Sequence, residues 1–262
     1  MNERLGQYTL DEIYVGECRE LMAYLPDNCI DLVFTSPPYY NAREYAQFAS
    51  YSEYLAFLKS FLISTLRVLK KDCPLVLNVS PVIVPRKSRQ YESKRLPIPF
   101  DAATLAQQVG FQFVDDIIWV KPDGASSRAI KFAHHRRPVA YKPFAVTEYL
   151  LVFRPQGAPL IDMVIRRHTG EQIKASLVQN GYERTNVWEI APETRREHPA
   201  PFPEALAERV VRYYSYVGDV VLDPMAGSGT TCKAAKQLGR QWLGFDISPK
   251  YVEFAQRRVG QS

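Results

Sequence analysis

Apolar residues fall along this chain in two rhythms that alternate from end to end. Short apolar runs, such as Leu32-Val33-Phe34 and Val220-Val221-Leu222, read as strands. Leu55, Leu58, Leu62, Leu66 and Leu69 recur every three or four residues and read as one face of a helix. Strands are predicted at 12–15, 30–35, 74–80, 113–120, 146–153, 219–222 and 241–247, and helices at 52–69, 100–109, 203–216, 230–238 and 249–258. Ser52 and Asp101 lie near helix starts, and Pro203 suits a first helical turn. Strands alternating with helices predict an α/β sheet covered on both faces. The alternation lapses at 80–99, which reads as a long loop, and at 121–142 and 154–197, which are irregular and basic in patches. Loops of that length point to function, here a substrate-facing lobe inside one domain.

With 262 residues, 46% of them hydrophobic and 23% charged, the composition is that of an ordinary globular enzyme. No apolar run approaches the roughly 18 residues of a membrane span. The opening MNERLGQYTLDEIYVG has acidic residues and no apolar signal core, so a cytoplasmic location is expected. Cys18, Cys29, Cys73 and Cys232 are scattered and read as free thiols rather than metal ligands. The net charge of +5 is mild, but basic residues gather at 86–95 and 128–137.

Two motifs carry chemistry. The segment Asp223-Pro224-Met225-Ala226-Gly227-Ser228-Gly229-Thr230 follows an apolar strand and opens a helix. Its small residues let a ligand approach the backbone at the carboxyl edge of a sheet. A phosphate loop would need a Lys directly after Gly229, and the dinucleotide fingerprint a third glycine where Cys232 stands. Asp246, at the tip of the next strand, is placed to accept both hydroxyls of a ribose. The set suits a nucleoside without phosphates, with Asp223 available to a positively charged end; a plain strand-to-helix turn is the alternative.

The second motif is Thr35-Ser36-Pro37-Pro38-Tyr39, also at a strand end. Two prolines stiffen the loop, remove two N–H donors and leave carbonyl acceptors. Ser36 adds an acceptor and Tyr39 a ring for stacking. Acceptors at Ser36 and the Pro37 carbonyl would hold both protons of a base amino group and aim its lone pair. Such a base must leave its helix stack. A proline-stiffened turn is the alternative for this motif too.

Together the motifs, TSPPY first and DPMAGSGTT far downstream, resemble the amino-specific DNA methyltransferases in which the catalytic half precedes the cofactor half. The resemblance extends through YVGECRELMAYLPDNCIDLVFTSPPY, DDIIWVKPDG, TEYLLVF, NVWEIAP, EHPAPFPEALAERVV and GRQWLGFDISPKYVEFAQRRV, nearly the whole chain. It implies a Rossmann-like, seven-stranded mixed sheet with one reversed strand, circularly permuted, with an inserted target-recognition region. The chain is then a single domain over 1–262, with a catalytic half at about 1–120 and a recognition region at about 121–190, interrupted by a strand at 146–153. The cofactor half is about 191–262.

The resemblance assigns the base-amino site to Ser36, Pro37, Pro38 and Tyr39. It assigns S-adenosylmethionine binding to Thr35, Asp223, Pro224, Gly227, Gly229, Thr230, Asp246 and Phe202, with His198 and Pro201 beside Phe202. Glu17 stands where many members carry an Asp near the cofactor adenine. Ser rather than Asp at the first catalytic position goes, in this family, mainly with cytosine N4. Adenine N6 is the alternative target; an RNA methyltransferase and a binding protein without catalysis are lesser ones. The implied partner is DNA with its target base flipped, together with a cognate restriction endonuclease. Arg128, Lys131, Arg136, Arg137, Arg166 and Arg167 are the candidate DNA contacts. His134-His135 do not form a metal pair in an extended segment, and Tyr91, Trp119 and Trp188 read as packing aromatics.

Overall fold

A computed structural model describes residues 3–41, 47–84, 86, 88, 90, 93–122, 145–179, 181–193 and 202–260. A small hairpin of β1 (Arg4–Leu5) and β2 (Tyr8–Thr9) precedes β3 (Glu12–Val15), α1 (Cys18–Met22), β4 (Leu32–Thr35), α2 (Tyr51–Val68) and β5 (Leu75–Val79). A second hairpin, β6 (Val82–Val84) with β7 (Lys94–Leu96), leads to α3 (Ile98–Val109), β8 (Phe111–Val120) and β9 (Thr147–Pro155). The remainder is a 3-10 turn at Ile161–Arg167, α4 (Gly170–Ser176), β10 (Val187–Glu189), α5 (Glu204–Tyr214), β11 (Val220–Asp223), α6 (Thr230–Gln237), β12 (Gln241–Asp246) and α7 (Pro249–Gly260).

Eight strands form the main sheet in the order β10-β8-β9-β5-β4-β11-β12-β3. Among the described strands of this sheet only β9 is reversed, antiparallel to both β5 and β8. All seven expected strands are present, and the reversed one is among them. The count of seven is corrected to eight by β10, whose three residues pair in parallel with Ile118–Val120 of β8. The expected loop at 80–99 is likewise corrected, because it contains the β6–β7 hairpin.

Side chains alternate across each strand and divide the core in two. Val33, Leu75, Leu77 and Leu222 pack with α1, α2 and α3. Leu32, Phe34, Val76 and Val221 pack with α5, α6 and α7 on the other face. Helix starts follow local chemistry: α2 is capped by Ser50, not Ser52, and the Ser50 hydroxyl accepts from Glu53 N at 3.1 Å. Pro203 stands just before the first turn of α5. Asp101 lies in the first turn of α3 and accepts from the Tyr51 hydroxyl at 2.5 Å.

The stretch 161–176 corrects a further expectation. Arg167 pairs with Asp31 at 3.2 Å and Asp72 at 3.0 Å, and donates to Cys73. His168 Nε2 meets Asp219 at 2.8 Å, and Gln172 donates to the Val217 carbonyl at 3.0 Å. Asp31, Cys73 and Asp219 all lie just before strands β4, β5 and β11. The segment therefore straps the amino edge of the sheet, opposite the edge at which Ser36 and Asp246 stand. Arg167 is a structural cation there, and the exposed Arg166 lies on the same strap. Arg128, Lys131, Arg136, Arg137, His134, His135 and Tyr91 lie outside the described residues. No described helix is long and apolar enough to cross a membrane.

Candidate active site

Strands β4 and β11 are neighbours, with Leu32 opposite Val221 and Val33 opposite Leu222. Each ends at the carboxyl edge, β4 into Ser36–Tyr39 and β11 into the glycine turn. Adjacent strands lie about 5 Å apart, so two motifs far apart in sequence meet. They flank a cleft of about 650 Å³, within the range of small-molecule sites. Ser36, Pro37, Pro38 and Tyr39 line one part of it, and Pro224, Gly227, Thr230 and Asp246 another.

On the first part, the Ser36 hydroxyl donates to the Asn78 carbonyl at 3.1 Å. Its proton is thereby committed and its lone pairs are left to accept. Tyr39 donates through its hydroxyl to Glu148 Oε2 at 2.8 Å, and Lys121 pairs with the other carboxylate oxygen. Lys121 also sits 4.8 Å from the centre of the Trp119 ring. Burial, reinforced by the Glu148 charge, pushes the Tyr39 phenol well above its ordinary value. Tyr39 is therefore neutral, a ring pinned at its far end and not a base.

Backbone conformation and packing fix the glycine turn. Gly227 and Gly229 have φ of 52° and 72°, and a Cβ on Gly229 would lie 2.9 Å from the Ala255 Cβ. The two carboxylate oxygens of Asp246 accept from Gly227 N and Ser248 N, each at 2.8 Å. Burial raises the Asp246 carboxyl and these two bonds oppose it. Arg258 of α7 reaches the turn from behind, donating to the Ser228 carbonyl at 2.9 Å and to Thr230 Oγ1 at 2.9 Å. Its other terminal nitrogen meets Glu204 at 2.6 Å, which Lys233 also engages at 3.0 Å. Burial alone would raise the Glu204 carboxyl, but these two cations outweigh it and hold it at about 2.

Charge on the wall limits what can bind. The described cations lining the cleft are Arg19 and Lys121, and both are paired with wall carboxylates, Glu17 and Glu148. Glu193 and Asp246 add further acidic groups. A polyphosphate would meet no uncommitted cation among these residues, whereas a cationic nucleoside would be attracted.

A family model for DNA methylases of the N6/N4 type matches residues 30–257. The chain belongs to this family. A putative DNA modification methylase from Thermus thermophilus superimposes with a TM-score of 0.76 at 32% identity, covering 95% of this chain and 94% of that one. A second structure of that protein is complexed with S-adenosyl-L-methionine. The type II methyltransferase M.ScaI of Streptomyces caespitosus is 28% identical over 256 residues, which cover 94% of this chain and 80% of that protein. The type II beta methyltransferase M.BslI of a Bacillus species is 29% identical over 253 residues, 93% of this chain. The chain spans only 27% of the length of M.BslI.

Within this N6/N4 methylase, most expected site residues meet at the cleft, and a few are turned elsewhere. Phe202 lines the cleft and packs on Phe34 with ring centres 5.0 Å apart. Glu17 lines it too, but its carboxylate caps α1, accepting from Arg19 N at 3.0 Å and Glu20 N at 3.2 Å. Thr35 and Asp223 are buried beneath the wall. Asp223 accepts from Met225 N at 3.2 Å, so it braces the turn instead of facing a ligand. Gly229 is placed by its packing on α7. His198 and Pro201 lie outside the described residues. Lys121 and Glu148 fall within two segments that carry the resemblance, DDIIWVKPDG and TEYLLVF, without a role assigned to either, and Asn78 belongs to no motif legible in the sequence.

Proposed function

We propose that this protein transfers a methyl group from S-adenosylmethionine to the N4 amino group of cytosine in DNA, the target base being turned out of the duplex into the cleft. The observation that carries this reading is the Ser36 hydroxyl, whose proton is given to the Asn78 carbonyl so that its oxygen faces the cleft as an acceptor. With the Pro37 carbonyl it would hold the two amino protons and favour a pyramidal nitrogen, whose lone pair points across the cleft toward the glycine turn. Tyr39 supplies a neutral, pinned face against which the base stacks.

The cofactor side fits S-adenosylmethionine. Asp246 keeps lone pairs beyond its two backbone bonds for ribose hydroxyls, and the wall is acidic toward a sulfonium. When bound, the cofactor supplies an electrophilic methyl group for in-line displacement. Cytosine over adenine rests on serine at position 36, by the family resemblance. The halves of the domain follow the resemblance, catalytic to about 120 and cofactor-binding from about 191. The segment 161–176 is withdrawn from the DNA-reading region, which leaves 121–142 as the main candidate. The DNA is duplex and the system includes a cognate restriction endonuclease in this reading.

Purified protein incubated with labelled S-adenosylmethionine and mixed-sequence duplex DNA, then digested to nucleosides, is expected to yield labelled N4-methylcytosine. N6-methyladenine would overturn the cytosine assignment, and no label in any nucleic acid would sink the enzymatic reading. Ser36→Ala should cut turnover strongly and leave cofactor affinity within about two-fold.

A further inference from the structure

The strand order β4-β11-β12-β3 decides which way the cofactor lies. For methyl transfer its sulfonium must face the β4 side of the cleft, where Ser36 and Tyr39 stand. A ribose seated on Asp246, at the end of β12, then sends its adenine the other way, over the end of β3. Asp246 pairs with Val15 across the two strands, and Gly16 N donates to the Asp246 carbonyl at 2.9 Å. Gly16, Glu17, Cys18 and Arg19 therefore line the adenine end of the cleft. Ile247, 62% exposed on the same wall, offers an apolar face to a purine.

The family resemblance puts the adenine contact at position 17, but the Glu17 carboxylate is fully engaged. One oxygen accepts from Arg19 N and Glu20 N, the other from Arg19 Nε at 2.8 Å and the Cys18 thiol at 3.5 Å. Four donors occupy its lone pairs and leave none for an adenine amino group. Arg19 is in the reverse position. Its guanidinium is held by Glu17 at Nε, by the Ser60 hydroxyl at 2.8 Å from Nη1, and by the Phe57 ring, whose centre is 5.1 Å away. Nη2 has no partner among the described residues, and 38% of the side chain is exposed. A planar donor already fixed in place loses little freedom when a ligand accepts from it.

We infer that Arg19 takes over the adenine contact, donating through Nη2 to a ring nitrogen of the purine, with Glu17 as the brace that aims it. The inference rests on the reading of Asp246 as the ribose seat. A donor thus stands where the family carries an acceptor, and the wall reads lone pairs of the purine ring in place of its amino protons. Adenine offers three such lone pairs, at N1, N3 and N7. Glu17 balances the Arg19 charge, so the group serves a neutral heterocycle and gains little attraction for a phosphate.

The test is calorimetric and uses the full chain: wild type, Arg19→Met, and Arg19→Ala as a second variant. The ligands are S-adenosylhomocysteine and its 1-deaza, 3-deaza and 7-deaza counterparts, in which CH replaces one ring nitrogen at a time. On the wild type, one of the three should bind about 10- to 100-fold more weakly than the parent, as expected for one hydrogen bond to a charged group. Both variants should lose a similar factor on the parent and should bind that same analogue within about two-fold of the parent. Three analogues that match the parent on the wild type would overturn the Arg19 contact, and so would a preference that survives in both variants. A loss shared equally by all four ligands, together with a lowered Tm, would also overturn it, since Arg19 would then be holding the fold. Asp246→Ala that binds S-adenosylhomocysteine as tightly as the wild type would instead overturn the ribose seat, and the orientation with it.

Discussion

Arg258→Met tests whether the glycine turn owes its shape to a cation behind it. Arg258 is 8% exposed and spends both terminal nitrogens on neighbours: the Ser228 carbonyl, the Ser228 and Thr230 hydroxyls, and Glu204. Methionine keeps the apolar stem and removes every donor. Breaking a buried ion pair costs about 3–5 kcal/mol when one charge is stranded. Here Glu204 is about a quarter exposed and keeps Lys233, so the loss falls lower, about 2–4 kcal/mol. For a chain of this size each kcal/mol moves Tm by about 2–4 °C, giving a fall of about 5–15 °C. The same change frees Ser228 and Thr230 at the cofactor wall and should weaken S-adenosylmethionine by about tenfold, roughly one lost charge-assisted hydrogen bond. Thermal unfolding and calorimetric titration read the two effects separately. A lowered Tm with Kd unchanged would refute the link between clamp and cofactor; an unchanged Tm would refute the energetics of the clamp itself.

Three further outcomes follow from the geometry. Tyr39→Phe keeps the stacking ring but loses the 2.8 Å bond to the Glu148 carboxylate, so kcat should fall about tenfold or more, roughly one hydrogen bond to a charged group, while the cofactor Kd holds; equal turnover would show the pin to be dispensable. Burial pushes the Asp223 carboxyl up to about 6 against an unfolded value near 3.8. The fold thus bears a buried charge above about pH 6 and none below about 4. Asp223→Asn should raise stability by about 1–3 kcal/mol at about pH 7.5, an advantage that vanishes in unfolding curves taken near pH 4. Arg167→Met should lower Tm while kcat/KM on DNA and its salt dependence stay unchanged at temperatures well below unfolding; a shallower salt slope would return Arg167 to the DNA surface.

What the sequence made legible is set by how local each signal is. Seven strands and five helices follow from periodicity, because β4 or α2 carries its own burial pattern. Three-residue β10 has no period to detect and exists only because β8 offers it an open edge. The motifs at Ser36 and Asp246 announce themselves through proline, glycine and a carboxylate at strand ends. Glu148 and Asn78 do not, because their importance comes from β5 lying beside β4 and β9 beside β5, a fact of topology. Arg167 misleads for the same reason: a basic residue in a basic stretch cannot tell which sheet edge its segment will cross. Its three partners, Asp31, Asp72 and Cys73, are remote in sequence and individually ordinary.

The position of the cleft has its own cause in the order of the strands. From β4 the chain passes through α2 to β5 on one side, and from β11 through α6 to β12 on the other. Helix α2 covers one face of the sheet and α6 the opposite face. The two loops at the β4–β11 pair therefore diverge, and a crevice opens where neighbouring connections leave in opposite directions. Nothing about the crevice itself dictates methyl transfer. What adapts it is the asymmetry of its lips: a proline-stiffened rim of acceptors on the β4 side, and on the β11 side a glycine turn braced by Asp246 and Arg258. Stiffness on one lip and close backbone approach on the other are what an in-line transfer between two bound molecules requires, since both partners must be held at a fixed distance and angle. Substituting Pro37 by Ala tests that requirement directly. It keeps the backbone carbonyl and loosens its aim, so kcat should fall about tenfold or more while KM for DNA and the cofactor Kd move little. A matching loss in all three would mean that the prolines shape the binding surface, and that rigidity is not what the rim contributes.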